Sequence, residues 1–341
     1  MENRTSLVSL DRDELLKIMK DHAQPAYRAN QAVLWLAKGA QIDEMENLPL
    51  ALRDALSSKF RSFSLDIDSI IGDSKTGAKK YLYLCYDDII IESVNLKYQY
   101  GSALCVSTQA GCRMRCVFCE SARNGLLRNL TWDEMLSQAL LAQRGSEERI
   151  KNIVLMGSGE PLDNYSQTKK FIDKLTSDDY GYSKRRITLS TCGIVPGIEQ
   201  MAKDKLFVNL AISLHAPFHS MRERLMPVEK AYPLPMLLSA AESFAKASGR
   251  RITFEYSVIE GLNDTIACAK ELKQITSAVS CLVNLIDINE STGSFRRNSG
   301  QAVASFSRKL ENLSIPHTVR RNLGSSINAA CGQLSGFSQR S

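Results

Sequence analysis

The sequence predicts an α/β protein in which parallel β-strands alternate with helices, preceded by a small helical region. After about residue 100, short apolar runs such as 103–108 and 152–157 recur, and helical stretches separate most of them. Before residue 61, the apolar residues instead follow helical spacing. Strand–helix–strand units of this kind build parallel sheets, either as open layers or as barrels.

The first 60 residues predict three helices. Asp11 and Glu14 form a capping-box pattern before the first helix, Gly39 stops a second helix over 28–39, and a third fits 48–60. The segment 79–98 is rich in β-branched and aromatic residues and predicts strands. We therefore expect two domains, a helical accessory domain with short strands and a larger domain, over residues 1–95 and 96–341.

The larger domain contains six apolar runs that predict strands. One helix between them fits 131–143, where Thr131 and Glu134 form a second capping box. In parallel barrels, chemistry collects at the carboxyl ends of the strands, and a cysteine-rich loop directly follows the first run. The six runs span 103–108, 152–157, 187–191, 207–214, 252–260 and 281–288.

Composition excludes several protein classes. Among 341 residues there is no apolar run near the roughly 18 residues that a membrane helix needs. The amino terminus has no basic stretch followed by an apolar one, so we expect no secretory signal and a cytoplasmic location.

Nine cysteines, an odd number, favour thiol or metal chemistry over a disulfide scaffold. The net charge of +6 is compatible with a nucleic-acid partner but does not establish one.

Three cysteines, Cys112, Cys116 and Cys119, lie within eight residues. One interpretation is a structural zinc site, which needs four closed ligands and would recruit Cys105. A second is three buried, inert thiols. The third is a [4Fe–4S] cluster that normally takes four cysteines, so that three leave one iron open to a substrate or cofactor. The C-x3-C-x2-C spacing, with Phe118 before the last cysteine, resembles the signature of radical S-adenosylmethionine (SAM) enzymes and favours the cluster.

Other strand ends carry candidate binding groups. The segment "LMGSGEP" (155–161) resembles the radical-SAM element that binds the methionine amino group, although Gly157 and Gly159 would equally suit a tight turn. Ser190, Ser213 and His215 close two further strands and would line the mouth of the barrel. A lone histidine is more often structural than a ligand, so His215 is a candidate binding residue only because other candidate groups lie near it.

Taken in order, "LCVSTQAGCRMRCVFCESARNGLLRNL", "VLMGSGEPLDN", "TLSTCGIVPGI", "LAISLHAP" and "INAACGQLSG" resemble the RlmN/Cfr family of radical-SAM 23S rRNA adenine methyltransferases. The resemblance covers nearly the whole chain, and "AACGQL" is its most diagnostic part. It implies a partial (β/α)6 barrel, a small helical amino-terminal domain that binds RNA, a [4Fe–4S] cluster and SAM. It also implies methylation of adenine C2 in 23S rRNA, with tRNA as a possible second substrate and two SAM molecules per turnover.

The resemblance further implies a role for individual residues. Cys331 matches the thiolate that carries the methyl group, Cys105 matches the cysteine that removes the ring proton and then forms a disulfide with Cys331, and Glu92 matches an acid near the site. Glu92 is equally well explained as a solvated strand-end acid. Cluster ligands would be Cys112, Cys116 and Cys119, and SAM contacts would come from Gly157, Gly159, Glu160, Ser190, Ser213, His215 and Asn289.

Several alternatives stay open at this point. A Cfr-like enzyme would methylate C8 and confer antibiotic resistance; a divergent radical-SAM enzyme would modify a peptide or small molecule; a zinc-stabilised RNA-binding protein would not be an enzyme. The chain departs from the usual family pattern at Glu120, Ser158 and Asn328, which bears on substrate choice. We expect a monomer that takes electrons from a donor such as flavodoxin. Candidate RNA contacts are 184–186, Arg222 with Arg224, 250–251, 296–297 and 320–321.

Overall fold

The computed structural model describes residues 4–99, 101–146, 148–288, 298–320 and 323–339. Every helix within these ranges is too short or too polar to cross a bilayer. The strands of the described part are β1 (Thr5–Ser6), β2 (Phe60–Arg61), β3 (Asp66–Gly72), β4 (Lys79–Leu84), β5 (Ile89–Tyr98), β6 (Gly101–Cys105), β7 (Gln109–Gly111), β8 (Leu126–Asn129), β9 (Asn152–Leu155), β10 (Ile187–Thr191), β11 (Asn209–Ser213), β12 (Ile252–Val258), β13 (Cys281–Asp287), β14 (His317–Val319) and β15 (Ser338–Gln339).

Helices fill most of the connections between these strands, as the alternation in the sequence predicts. They are α1 (Arg12–Asp21), α2 (Tyr27–Leu36), α3 (Leu50–Lys59), α4 (Trp132–Arg144), α5 (Tyr165–Leu175), α6 (Val195–Lys203), α7 (His219–Leu225), α8 (Leu234–Ser248), α9 (Ile266–Ala278) and α10 (Ala302–Asn312).

One large sheet organises the molecule. Its strand order is β14-β13-β12-β11-β10-β9-β6-β5-β4-β3, and β15 pairs with the start of β5. The strands from β6 and β9 through β14 are mutually parallel, whereas β3 to β6 are antiparallel. In the described residues β14 pairs with β13 but not with β6 at the other edge of the parallel strands, so the barrel is open. The predicted partial (β/α)6 barrel is confirmed, and β14 adds a parallel strand that the sequence did not suggest.

The sheet runs without interruption across the domain boundary that we expect at residue 95. That residue lies inside β5, which pairs with β4 on one side and with the barrel strand β6 on the other. The helices α1 to α3 precede this sheet, as predicted. The division into two domains remains a prediction.

Both predicted capping boxes form. The amide of Glu14 donates to Asp11 Oδ1 at 2.8 Å, and the amide of Asp11 donates to Glu14 Oε2 at 2.7 Å. At the start of α4, the amide of Thr131 donates to Glu134 Oε2 at 2.9 Å. These bonds satisfy amides that a helix start leaves without an internal partner, so they fix where each helix begins.

The barrel strands bury apolar side chains on the outside and present polar ones inside. On β12, Ile252, Phe254, Tyr256 and Val258 are fully buried against the helices. The intervening residues of β12, including Glu255, line cavities inside the barrel. Strands buried on both faces are usually apolar throughout, so this alternation indicates that the interior holds a polar site.

Candidate active site

The cysteine loop leaves the carboxyl end of β6 and curls over the mouth of the barrel. The amide of Cys112 donates to the carbonyl of Gly125 at 2.9 Å, and the amide of Cys119 donates to the carbonyl of Cys116 at 3.1 Å. Arg115 adopts a left-handed conformation, with φ of 56°, between the first two cysteines. As a result, all three thiols line one cavity of about 1000 Å³, which includes its open mouth.

Burial sets the protonation of these thiols. It raises the pKa of Cys112 to about 12, and it raises the pKa of Cys116 and of Cys119, with the neighbouring thiols acting in the same direction on Cys116. Without a cation the three groups are therefore neutral thiols. Bound iron would stabilise the thiolates, because metal binding to cysteine displaces protons.

The donor set fits an iron–sulfur cluster better than a single zinc ion. Within the described ranges, no three histidine, cysteine or acidic side chains converge closely enough to bind one ion. In a [4Fe–4S] cube each thiolate binds a different iron, so three separated sulfurs around one cavity suit it. Cys105, which a zinc site would recruit, does not line the cavity that Cys112 and Cys116 share.

The loop after β9 packs so closely on the cysteine loop that glycine is required there. A Cβ on Gly157 would lie 2.7 Å from the amide nitrogen of Ser107, and one on Gly159, whose φ is 103°, would lie 2.6 Å from Gln109 Cβ. Both glycines also line the cavity. The tight turn that the sequence offered as one alternative is therefore present, and the binding role of this loop stays a prediction.

Glu160 ties this loop to the neighbouring strand. Its Oε2 accepts the amide of Cys192 at 2.7 Å, and its Oε1 accepts the amide of Leu162 at 3.0 Å. Burial raises the pKa of Glu160, and these amides act in the opposite direction. Glu160 and Cys192 both line the cavity.

The ends of β10 and β11 bring Ser190, Ser213 and His215 to the same cavity, as predicted. His215 is buried, and its Nδ1 accepts the amide of Ser257 at 2.9 Å. Burial lowers the pKa of His215 to about 3, with the charge of Arg222 acting in the same direction. The ring is therefore neutral with its proton on Nε2, and it offers one hydrogen-bond donor.

Arg222 supports these strand ends from behind the cavity. Its side chain is fully buried, and Nη1 donates to Glu229 Oε2 at 2.5 Å. Its Nη2 donates to the carbonyls of Cys192 and Ser213 at 2.6 and 3.2 Å. The prediction that Arg222 contacts RNA is therefore wrong, because a pair this deeply buried is not accessible to a phosphate.

A second, adjoining cavity of about 650 Å³ brings together the two cysteines that the family resemblance singled out. Cys105, at the end of β6, and Cys331, in the carboxyl-terminal segment, both line it, as does Cys119 of the cysteine loop. Cys331 also lines the larger cavity. Burial, and then the neighbouring Cys331, raise the pKa of Cys105 to about 12.

A layer of three side chains lies below these thiols; the sequence analysis assigned no role to two of them and assigned the third, Arg320, to RNA. Met156, Glu255 and Arg320 line both the 1000 Å³ cavity and a third cavity at the amino-terminal end of the barrel. Arg320 Nη1 lies 3.8 Å from Met156 Sδ, and the charges of Cys331 and Glu255 raise the pKa of Arg320. A charged residue in the middle of the apolar run 252–260 was the signal that could have revealed Glu255.

Glu92 lies outside both upper cavities in the described part of the chain. Its Oε1 accepts Lys80 Nζ at 3.0 Å, and its Oε2 accepts the amide of Ser335 at 2.9 Å. It is 6% exposed, so it is not a solvated strand-end acid. It contacts the segment that carries Cys331 rather than the cavity.

The predicted RNA contacts are distributed unevenly. Lys184–Arg186 precede β10, and Arg250 and Arg251 precede β12, so both sets lie at the end of the barrel opposite the cavity. Arg320 points inward, and residues 296–297 and 321 lie outside the described residues. Asn289, predicted as a SAM contact, also lies outside them. At the mouth, the cysteine loop itself presents exposed Arg113, Arg115 and Arg123, which the sequence analysis did not single out.

Known proteins resemble this chain over most of its length. The profile of the radical SAM superfamily matches residues 106–267. A Clostridium perfringens protein named "Probable dual-specificity RNA methyltransferase RlmN" is 44% identical over 327 residues, covering 94% of each chain. An Alkaliphilus oremlandii protein of the same name is 42% identical over 335 residues, covering 97% of each. The crystal structure of a radical SAM methyltransferase from Sphaerobacter thermophilus matches with a TM-score of 0.91 at 36% identity, covering 97% of this chain and 99% of that one.

Proposed function

We propose a substrate and a chemical route for this chain on the premise that it belongs to the RlmN family of RNA methyltransferases, within the radical SAM superfamily. The proposed reaction adds a methyl group to C2 of an adenine in 23S rRNA, with tRNA as a second substrate. It consumes two SAM molecules per turnover. The observation that carries the proposal is the single cavity shared by Cys105, Cys119 and Cys331.

Cys112, Cys116 and Cys119 would hold a [4Fe–4S] cluster whose fourth iron stays open. When bound there, the cluster and SAM supply the radical chemistry that removes a hydrogen atom from a methyl group. Gly157, Gly159, Glu160, Ser190, Ser213 and His215 border the same cavity and would orient SAM; Asn289 completes this set by family resemblance.

Cys331 would act as the methyl carrier. Its Sγ, as a thiolate, would displace S-adenosylhomocysteine from the methyl carbon of one SAM, a displacement that suits a sulfur nucleophile. The methyl group would pass through Cys331 because an adenine ring carbon that bears hydrogen is too poor a nucleophile to take it directly from SAM. Arg320 lines the same cavity and would stabilise negative charge on Cys331 and Cys105.

Cys105 would complete the transfer. Its Sγ takes the ring proton after the one-carbon unit on Cys331 has joined the base. Cys105 Sγ would then give up that proton and bond to Cys331 Sγ. The bond between Cys331 Sγ and the transferred carbon breaks, its electron pair goes to the carbon, and the carbon takes a proton to become the methyl group of the released adenine. The shared cavity supports this pairing, because disulfide formation requires both sulfurs to meet.

The RNA would approach the mouth of the barrel with its adenine unstacked, because enzymes that carry out chemistry on a base take it out of the stack. Arg113, Arg115 and Arg123 of the cysteine loop are exposed and would contact phosphates, while the amino-terminal helices would bind RNA by shape. The proposal also places the protein in the cytoplasm as a monomer that receives electrons from a donor such as flavodoxin.

Mass spectrometry of nucleosides tests the proposal. Ribosomal RNA and tRNA are purified from cells that express the wild-type chain, Cys331→Ala or Cys281→Ala, and from cells without the gene. We expect 2-methyladenosine only with the wild-type chain and Cys281→Ala, since Cys281 is buried at the start of β13, away from the cavities. Finding 8-methyladenosine instead would assign the Cfr-like activity, and unchanged adenines in both RNAs would refute the RNA assignment.

A further inference from the structure

The segment that carries Cys331 has little structure of its own. Between a single short turn at Ser325–Ile327 and β15, the described residues form neither helix nor strand. Asn328, Gly332 and Gly336 are all in left-handed conformations, with φ of 50°, 81° and 86°. Because regular backbone hydrogen bonds do not hold residues 328–335, their position depends on contacts with the rest of the protein.

A buried ion pair lies beneath this segment. Lys80 on β4 and Glu92 on β5 are 8% and 6% exposed, and Lys80 Nζ lies 3.0 Å from Glu92 Oε1. Lys80 pairs with Val94 in the sheet, so Lys80 and Glu92 are diagonal neighbours on one face of two paired strands. Removing two charges from water is costly, so the pair needs further hydrogen bonds.

Those further bonds reach both ends of the Cys331 segment. Glu92 Oε2 accepts the amide of Ser335 at 2.9 Å, and Lys80 Nζ lies 3.5 Å from the carbonyl oxygen of Asn328. Cys331 lies between these two anchor points. We refer to the Lys80–Glu92 pair with these two contacts as the latch.

The strand pair that bears the latch also positions Cys105. In the sheet register Val94 on β5 pairs with Cys105 on β6, two residues along from Glu92. Ala329 and Leu334 of the segment pack against Val94 and Cys105 in one buried apolar cluster. The latch therefore holds the Cys331 segment against the same strand pair that positions Cys105.

The cysteine loop holds the segment from the other side. The amide of Glu120 donates to the carbonyl of Gly332 at 2.9 Å, and Ser121 Oγ donates to the carbonyl of Leu334 at 2.8 Å. These two bonds fix the segment relative to Cys119. The contacts that hold the segment directly against β4, β5 and β6 are those of the latch and the apolar cluster.

The geometry points to Lys80 and Glu92 as positioning residues that set the approach of Cys331 to Cys105. In this account Glu92 acts on the reaction through the backbone of the segment and does not touch the substrate. The inference rests on the proposed function in one respect: in that function, the approach of the two thiols forms the disulfide that releases the product. The effective concentration of the two thiols is a property of the protein and can be measured without RNA or SAM.

The test variant is Lys80→Met with Glu92→Leu in the full-length chain. It leaves no buried charge, and apolar replacement of a whole buried pair is often neutral for stability, so the protein should fold. Neither new side chain can bond Ser335 or Asn328. The matched control is Lys174→Met with Asp179→Leu, which removes a half-buried pair at the end of α5.

Two measurements are made on each protein. The first is equilibration with glutathione, in which two protein thiols become one disulfide while one glutathione disulfide becomes two thiols; peptide mass spectrometry quantifies the Cys105–Cys331 link. The second is amide hydrogen exchange across residues 328–336. We expect the equilibrium constant for forming the Cys105–Cys331 disulfide to be at least tenfold lower in the latch variant, which is a change of about 30 mV in the reduction potential of this two-electron couple. We also expect the amides of residues 328–336 to exchange at least tenfold faster in that variant.

The control, and Lys80→Arg, which keeps the charge, should behave like the wild type. If the folded latch variant keeps wild-type linkage and exchange, the inference is overturned. Melting curves establish that each variant is folded. Should the double variant unfold, Lys80→Met with Glu92→Gln provides the same comparison, since it also leaves no buried charge, removes the contact to Asn328 and weakens the bond to Ser335. The proposed function can fail independently, if RNA stays unmethylated while the linkage still depends on the latch.

Discussion

Replacing Arg222 with methionine is the perturbation whose cost the structure defines best. The guanidinium is fully buried and bonds Glu229 together with the carbonyls of Cys192 and Ser213. Methionine fills part of the volume but donates no hydrogen bond. Glu229 would keep His219 Nδ1 and the amide of Leu234 as partners, each at 2.7 Å, but would lose its buried cation.

The expected loss of unfolding free energy follows from that environment. Removing one partner of a buried ion pair costs about 3–5 kcal/mol, because the other charge stays buried without compensation. The two freed carbonyls add to the cost rather than relieve it. Adding Glu229→Gln should recover about 0.5–3 kcal/mol, which is the usual coupling between contacting residues. Lys246→Met, which breaks an exposed pair with Glu242, should cost less than about 1 kcal/mol.

Urea denaturation of the four proteins measures these free energies. Arg222 also fixes the strand ends at Cys192 and Ser213, so equilibrium dialysis should show weaker SAM binding by the Arg222→Met variant while it is still folded. A loss below about 1 kcal/mol for Arg222→Met, no larger than that for Lys246→Met, would refute the account of this network.

Three further predictions concern single residues of the site. Gly159→Ala should destabilise the protein by about 1–3 kcal/mol in thermal denaturation, because of its φ and its contact with Gln109, whereas Gly300→Ala, in open space, should be nearly neutral. The folded-state pKa of His215, about 3, lies below the unfolded value, so its contribution to stability is present near pH 7 and is lost as pH falls from about 6 towards 3. Relative to His215→Asn, the wild-type chain should lose up to about 1.4 kcal/mol per pH unit in that window, and parallel urea titrations would contradict the buried neutral ring. Cys105→Ser should leave RNA covalently attached to the protein on denaturing gels, and free methylated RNA from this variant would exclude the role of Cys105.

The sequence predicted the elements whose signals are local. The six barrel strands appear as apolar runs, and α1 and α4 begin at the capping boxes whose first residues are Asp11 and Thr131. Parallel strands then oblige the residues at their carboxyl ends to meet, which is why Ser190 and Ser213 could be assigned to one cavity from spacing alone. By contrast, β14 has only three residues and no apolar alternation, so nothing distinguished it from a loop.

The sequence could not show which charged residues are buried. From the sequence, Arg222 is indistinguishable from a basic surface residue, whereas in the folded protein it is buried against Glu229. Arg320 likewise belongs to a basic pair in the sequence, but in the fold it follows β14 and lines the cavity of Cys331. The partner of Glu92 is a lysine on the adjacent strand, and its second contact comes from a segment some 240 residues away. Such contacts are decided by tertiary packing, which propensity and spacing do not encode.

The most direct test of the central claim follows one methyl group through the protein. The anaerobically reconstituted enzyme is incubated with SAM carrying an isotopically labelled methyl group, first without RNA and then with it, and the peptide containing Cys331 is analysed by mass spectrometry. Label should appear on Cys331 before RNA is added and then pass to adenine in the RNA. Methylated RNA from a Cys331→Ala chain, or label that reaches the base without ever residing on Cys331, would contradict the account.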